Sequence, residues 1–244
     1  MALLTLHEVS KSFGGVTAVN RVSLTVDRGE IVGLMGPNGS GKTTLFNLIS
    51  GALKPDRGEI HFCGTRTNGL PPHRICRRGV ARTFQLVRPF LGLTVMENVL
   101  VGLGYGCEPL SGWRARHKAA ALLDQVGLSG RASRVARTLS VMERKRLELA
   151  RALATSPKLL LLDEFMAGLT PAETNWALDL ARSLRDRGLT LILVEHVVWA
   201  MLDVSDRIVV LSAGEKIAEG EPRAVVNDPR VIESYLGGSG AVPQ

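Results

Sequence analysis

Cysteine is scarce in this chain. Cys63, Cys76 and Cys107 are the only three in 244 residues, an odd number without any Cys-x-x-Cys spacing. That excludes a disulfide framework or a cysteine-held zinc and points to reduced thiols, buried or incidental, in a cytosolic setting. Aromatic residues make up only 5% of the chain. No apolar run approaches the roughly 20 residues that cross a bilayer as a helix, and the most apolar later stretch, residues 189–201, is interrupted by Glu195 and His196. Residues 1–10 lack a basic leader, so neither a signal peptide nor a membrane span is expected. There is no internal repeat and no low-complexity segment, and only residues 237–244 read as a loose tail.

What is present suits a folded α/β protein. With 244 residues and 45% hydrophobic content, the chain can bury a full core, as one large domain or one domain with an inserted subdomain. The net charge of +7 is unevenly placed. Residues 64–155 hold 16 Lys+Arg against 5 Asp+Glu, whereas the remainder holds 14 against 18. Such a basic block is a solvated face, or a surface for anionic membrane or nucleic acid. Phe84, Phe90, Tyr105 and Trp113 are too dispersed through it for base stacking, which ranks membrane proximity above nucleic acid.

Hydrophobic periodicity alternates strands and helices. Residues 3–9, 22–26, 31–35, 59–63, 159–163, 189–194 and 208–211 read as strands, and residues 42–51 and 171–187 as helices. Between the two halves, residues 94–103, 114–126 and 140–155 have helical periodicity with start or stop signals, a helix-rich insertion.

The chemistry is concentrated at two strand ends. After residues 31–35 comes Gly36-Pro37-Asn38-Gly39-Ser40-Gly41-Lys42-Thr43-Thr44, a complete phosphate-binding P-loop. Glycines let successive N–H groups turn inward around a β-phosphate, Lys42 reaches the β/γ oxygens, and Thr43 offers a hydroxyl to Mg²⁺. The helix that follows adds unpaired N–H groups that favour an anion. The second end is Leu159-Leu160-Leu161-Leu162-Asp163-Glu164, an uninterrupted apolar run of buried parallel-strand character closed by two acids. In an open α/β sheet, ligands bind at the carboxyl ends of strands. Asp163 can therefore hold the metal, and Glu164 can orient or deprotonate a water aimed at the γ-phosphate.

In this order the motifs resemble the ATP-binding cassette family over essentially the whole chain. The resemblance implies an α/β P-loop NTPase with a mainly parallel sheet core, an antiparallel β subdomain and an inserted helical subdomain. Residues 1–84 and 156–236 would form the nucleotide-binding core, and residues 85–155 the helical subdomain. Phe13 matches the aromatic that stacks on adenine, although a Phe ending a strand is by itself more often core. Gln85 matches the loop that joins the metal to the membrane-docking groove, and His196 the switch residue that contacts the γ-phosphate. Phe13-Gly14-Gly15, the run from Arg82-Thr83-Phe84-Gln85 to Thr94-Val95-Met96-Glu97-Asn98, and Tyr235-Leu236-Gly237 resemble the branched-chain amino acid importer ATPases.

One segment departs from the family. Its signature loop, usually Leu-Ser-Gly-Gly-Gln, reads Leu139-Ser140-Val141-Met142-Glu143 here. In the family this loop presses its helix N-terminus on the ATP held by the other subunit, and Met142 stands where glycine gives backbone clearance. The same residues form a capping box, Ser140 capping and Glu143 at the third helical position, and both readings can hold together. Thr170 stands where the family more often has Asp or Asn.

The implied working unit binds ATP and Mg²⁺ and closes on a second cassette ATPase subunit. The intact catalytic set beside an altered signature favours a heterodimer over a homodimer. Two membrane permease subunits and, indirectly, a solute-binding protein complete it on the inner face of the cell membrane, and nucleic acid is not expected. Apolar residues of the 86–91 loop suit either the core of the helical subdomain or the groove for a permease helix. The alternative is a soluble cassette that uses nucleotide as a switch, without coupling to transport.

Overall fold

The computed structural model describes residues 2–83 and 88–236. Gln85, with Phe84, Leu86 and Val87, and the 237–244 tail lie outside the described residues. In chain order the elements are β1 (Ala2–Phe13), β2 (Val16–Asp27), β3 (Ile31–Met35), α1 (Lys42–Ile49), β4 (Arg57–Phe62), β5 (Thr65–Arg66), α2 (Pro72–Cys76), β6 (Val80–Arg82), α3 (Val95–Tyr105), α4 (Gly112–Gln125) and α5 (Val141–Ala154). They continue with β7 (Leu159–Asp163), α6 (Pro171–Asp186), β8 (Thr190–Val194), α7 (Val198–Val204), β9 (Arg207–Ser212), β10 (Glu215–Gly220), α8 (Pro222–Val226) and α9 (Pro229–Leu236). The chain divides into two compact units, with described residues 2–71 and 166–236 in the first and 72–83 and 88–165 in the second.

The first unit holds an antiparallel sheet ordered β2-β1-β4-β5. β1 is long and its register shifts at several points, one of them between Leu6 and Val9, where Glu8 takes a left-handed φ of 46°. These bulges put Leu3, Leu4, Leu6 and Val9 all inside, a spacing that strict alternation does not give. The same unit carries parallel pairings of β3 with β8 and with β9, and β10 closes the edge antiparallel to β9. β3 and β8 are buried along their whole length, as their unbroken apolar runs require.

The second unit packs α3 against α4 and α5, with β6 paired parallel to β7. All five residues of β7 are buried, including the terminal Asp163. α3 and α5 each open with a complete capping box, Thr94 with Glu97 and Ser140 with Glu143, which fixes where these helices start.

Candidate nucleotide site

The P-loop is built by glycine in the literal steric sense. Gly36, Gly39 and Gly41 have φ of 147°, 78° and 103°. A Cβ on Gly36 would lie 2.1 Å from the Leu211 carbonyl oxygen, and one on Gly41 2.3 Å from that of Ala18. At Gly39 nothing lies within 4 Å, so its backbone faces open space on that side. Ser40 and Lys42 are buried, whereas Asn38 and Thr43 are exposed at the mouth of α1 and Thr44 is half-buried. The Lys42 ammonium donates to the carbonyls of Gly36 at 2.6 Å and Pro37 at 2.9 Å, and lies 3.4 Å from Ser40 Oγ. Phosphate oxygens offer an ammonium stronger, charge-assisted bonds than these neutral carbonyls do.

Phe13 ends β1 and is 46% exposed, so it is not a core residue, and the Lys11 ammonium sits 5.5 Å from its ring centroid. His196 follows β8 at an exposed bend. Its neighbour Glu195 is buried and accepts from the Met166 N–H at 2.7 Å. These groups and the P-loop belong to the first unit.

Asp163, Glu164 and the 139–143 segment belong to the second. Asp163 is ion-paired to Arg82 at 2.7 Å, both side chains nearly excluded from solvent, and its N–H donates to Thr83 Oγ1 at 3.3 Å. Glu164 is half-buried with φ of 50°, a region in which a non-glycine residue stores strain of about 1–3 kcal/mol and which clusters at functional positions. The next carbonyl, of Phe165, accepts from Lys145 on α5 at 3.1 Å, tying the helix behind the altered signature to the segment just past Glu164.

In the 139–143 segment Leu139 is buried, Ser140 and Val141 are exposed, and Met142 is half-buried. Ser140 Oγ accepts from the Glu143 N–H at 3.2 Å while Glu143 accepts from the Ser140 N–H at 2.9 Å. The Arg131 guanidinium, bonded at 2.8 Å, holds the Glu143 carboxyl below its ordinary range, helped by the Ser140 N–H. Glu143 is thus committed to its own helix and to Arg131. Thr170 serves its own helix in the same way, capping α6 and accepting from the Glu173 N–H at 3.3 Å.

Phe90 and Leu91, the described apolar part of the 86–91 loop, are 45% and 49% exposed. The Arg151 guanidinium lies 4.6 Å from the Phe90 ring centroid and donates to the Arg88 carbonyl at 2.8 Å. Asn98, fully buried, bonds both the N–H and the carbonyl of Phe90, at 2.8 and 3.0 Å, so the exposed ring stands on a fixed backbone.

Two partners escape the sequence. Arg82 stands there only as part of a resemblance, with no role of its own, yet a lone cation in a buried strand needs a counter-charge, and that is a readable signal. Tyr235 likewise has no contact that its neighbours suggest; its hydroxyl accepts from the Gly36 N–H across 199 positions of sequence, which no local pattern announces.

A glycine-built phosphate loop leading into a helix, on strands that pair in parallel, defines a P-loop nucleoside triphosphatase. The sequence matches the ABC transporter family over residues 19–167 and a branched-chain amino acid ATP-binding cassette transporter family over residues 215–241. The chain belongs to the ABC transporter ATP-binding family. It is 42% identical over 249 residues to the high-affinity branched-chain amino acid transport ATP-binding protein LivG of Salmonella typhimurium, covering 96% of this chain and 98% of that one. It is 39% identical to the lipopolysaccharide export system ATP-binding protein LptB of Haemophilus influenzae, covering 97% and 98%. Among solved structures it is similar to the ADP conformation of MJ1267, an ATP-binding cassette of an ABC transporter, with a TM-score of 0.86, 33% identity and coverage of 97% and 99%. A dimeric post-hydrolysis state of the cassette MJ0796 bound to ADP and Pi gives a TM-score of 0.81 at 29% identity, covering 90% and 99%.

Proposed function

We propose that this chain is the ATP-hydrolysing subunit of a membrane importer for branched-chain or related amino acids, acting as half of a nucleotide-sandwich dimer. The observation that carries the reading is the buried Lys42 ammonium held on the carbonyls of a glycine-built loop, at the start of α1. The family match at residues 215–241 and the LivG relative favour an amino-acid solute over the exported lipid of the LptB relative. No helix among the described residues is long and apolar enough to cross a membrane, so permease subunits would form the path, with this subunit docked on the cytoplasmic face.

In this reading the whole chain is one cassette. The Gly36–Lys42 loop binds the triphosphate, Phe13 stacks on the adenine, His196 contacts the γ-phosphate, and Gln85 joins the metal to the membrane-docking groove. Glu164 orients or deprotonates the attacking water. Thr43 and Asp163 would hold Mg²⁺: a hydroxyl and one carboxylate are hard oxygen donors, and Mg²⁺ sites of this kind take one or two carboxylates beside substrate phosphates. No cluster of three or more His, Cys, Asp or Glu among the described residues offers a metal site formed by protein alone. When bound, the ion would neutralise charge on the β and γ oxygens. Phe90 and Leu91 would meet a permease helix.

Reconstitution tests the reading. With its genomic partner subunits in lipid vesicles, the chain should drive ATP-dependent uptake of leucine, isoleucine or valine, and Lys42→Ala should abolish it through lost nucleotide binding. Purification with nucleic acid instead of membrane proteins would favour the soluble-switch alternative.

The altered signature bears on the dimer. In a homodimer both sites would meet Met142; in a heterodimer only the partner's would. We propose the heterodimer, because the P-loop and the Asp163-Glu164 pair are complete beside a signature that lacks its glycine. Met142→Gly should raise the ATPase rate of the chain with its partner by about tenfold, the scale of one regained backbone contact to a charged group. An unchanged rate, alone and with the partner, would mean that Met142 is tolerated and remove the argument for unequal sites.

A further inference from the structure

Gly36 is the hinge on which the P-loop leaves β3, and no side chain can stiffen it. Its φ of 147° is glycine territory, and a Cβ would collide with the Leu211 carbonyl oxygen at 2.1 Å and Ser40 Oγ at 2.6 Å. A residue with such freedom loses most conformational entropy on ordering, so its two flanking peptide groups must be held by hydrogen bonds. Both are. On one side the Gly36 carbonyl accepts from the Lys42 ammonium at 2.6 Å. On the other, the Gly36 N–H donates to the hydroxyl of Tyr235 at 2.8 Å.

Tyr235 lies in the last turn of α9, whose Val231 is buried. Tyr235 is 43% exposed as a residue, yet desolvation around its hydroxyl pushes the phenol up, the Gly36 N–H pulling the other way, so it remains an uncharged acceptor. α9 falls within residues 215–241, the segment matched by the branched-chain transporter family. A helix close to the C-terminal end of the described chain is thereby bonded to the first residue of the loop, and that residue's carbonyl holds the phosphate-seeking lysine.

We propose that Tyr235 is a positioning residue for the P-loop: by holding the Gly36 N–H it fixes the carbonyl on which Lys42 rests, so that α9 sets the affinity of the loop for ATP. The proposal rests on the nucleotide reading of the loop. It gives the C-terminal segment a part in nucleotide binding in addition to its share of the fold. Any partner that shifts α9 would change ATP affinity without touching the nucleotide.

The test is Tyr235→Phe in the full chain, which removes the hydroxyl and keeps the ring. ATP affinity by titration calorimetry should fall about 5- to 10-fold, the scale of one neutral hydrogen bond. In the assembled transporter, KM for ATP should rise similarly while kcat at saturating ATP stays within about twofold, as loss of uniform binding requires. Exchange of the Gly36 amide, read by NMR, should accelerate while the thermal midpoint falls by no more than about 2–4 °C. Ile232→Ala, on the same helix and 44% exposed, keeps the hydroxyl and should leave affinity unaltered. Unchanged ATP affinity in Tyr235→Phe, or an equal loss in Ile232→Ala, would overturn the proposal while leaving the nucleotide reading intact. Failure of the unaltered chain to bind ATP would overturn both.

Discussion

Glu164→Gln is expected to slow ATP hydrolysis by the assembled transporter about 10²- to 10⁴-fold, the usual contribution of a positioned acid or base. ATP binding should be retained. Glutamine keeps the size and the hydrogen-bonding carbonyl but accepts no proton at neutral pH. The backbone prepares the position, since β7 is buried from Leu159 to Asp163 and the chain then turns at Glu164 through a φ of 50°. A backbone held in that region persists only where its surroundings over-determine it. The Phe165 carbonyl, bonded to Lys145 of α5, is one such constraint. The comparison needs two measurements on one preparation, phosphate release at saturating ATP and ATP affinity. An unmodified rate would remove Glu164 from the chemistry, whereas lost binding would make it part of the nucleotide pocket instead.

Some of the fold and candidate site was legible because the signals are local. The apolar run 159–163 is a strand with those bounds, buried along its whole length as a short unbroken apolar run of parallel-strand character requires. The Ser140–Glu143 capping box formed as its spacing required, because both bonds lie within one turn. The unread parts depend on distant partners or weak patterns. β10, reading Glu-Lys-Ile-Ala-Glu-Gly, is a mostly polar edge strand with one buried residue, so it lacks an alternation to detect. β1 extends to Phe13 through bulges that break the period of two. α7 and α8 have seven and five residues, too short for a helical period to accumulate. The bond from Gly36 to Tyr235 joins residues that no spacing rule connects.

Arg82 gives the other large expected effect. Its guanidinium and the Asp163 carboxylate meet at 2.7 Å with side-chain exposures of 7% and 5%. Removing one partner of such a buried pair leaves an uncompensated charge, which costs about 3–5 kcal/mol, whereas replacing both by apolar groups is often close to neutral. Arg82→Met should therefore lower the stability of the second unit by several kcal/mol, and Asp163→Leu should lower it as well. The double variant should be more stable than the sum of the two losses predicts, with a coupling of about 1–3 kcal/mol. Urea unfolding of the four proteins supplies the cycle, and additive losses would show that the pair contributes nothing as a pair. The same pair orients the proposed metal ligand. Arg82, the last residue of β6, donates to Asp163 Oδ2 and so restrains that oxygen. Arg82→Lys keeps the charge and loses the planar fork. If the orientation of Asp163 matters, this variant should recover much of the stability yet weaken Mn²⁺ binding in the presence of ADP, measured by electron paramagnetic resonance as free ion; full recovery of both would confine Arg82 to neutralising a buried charge.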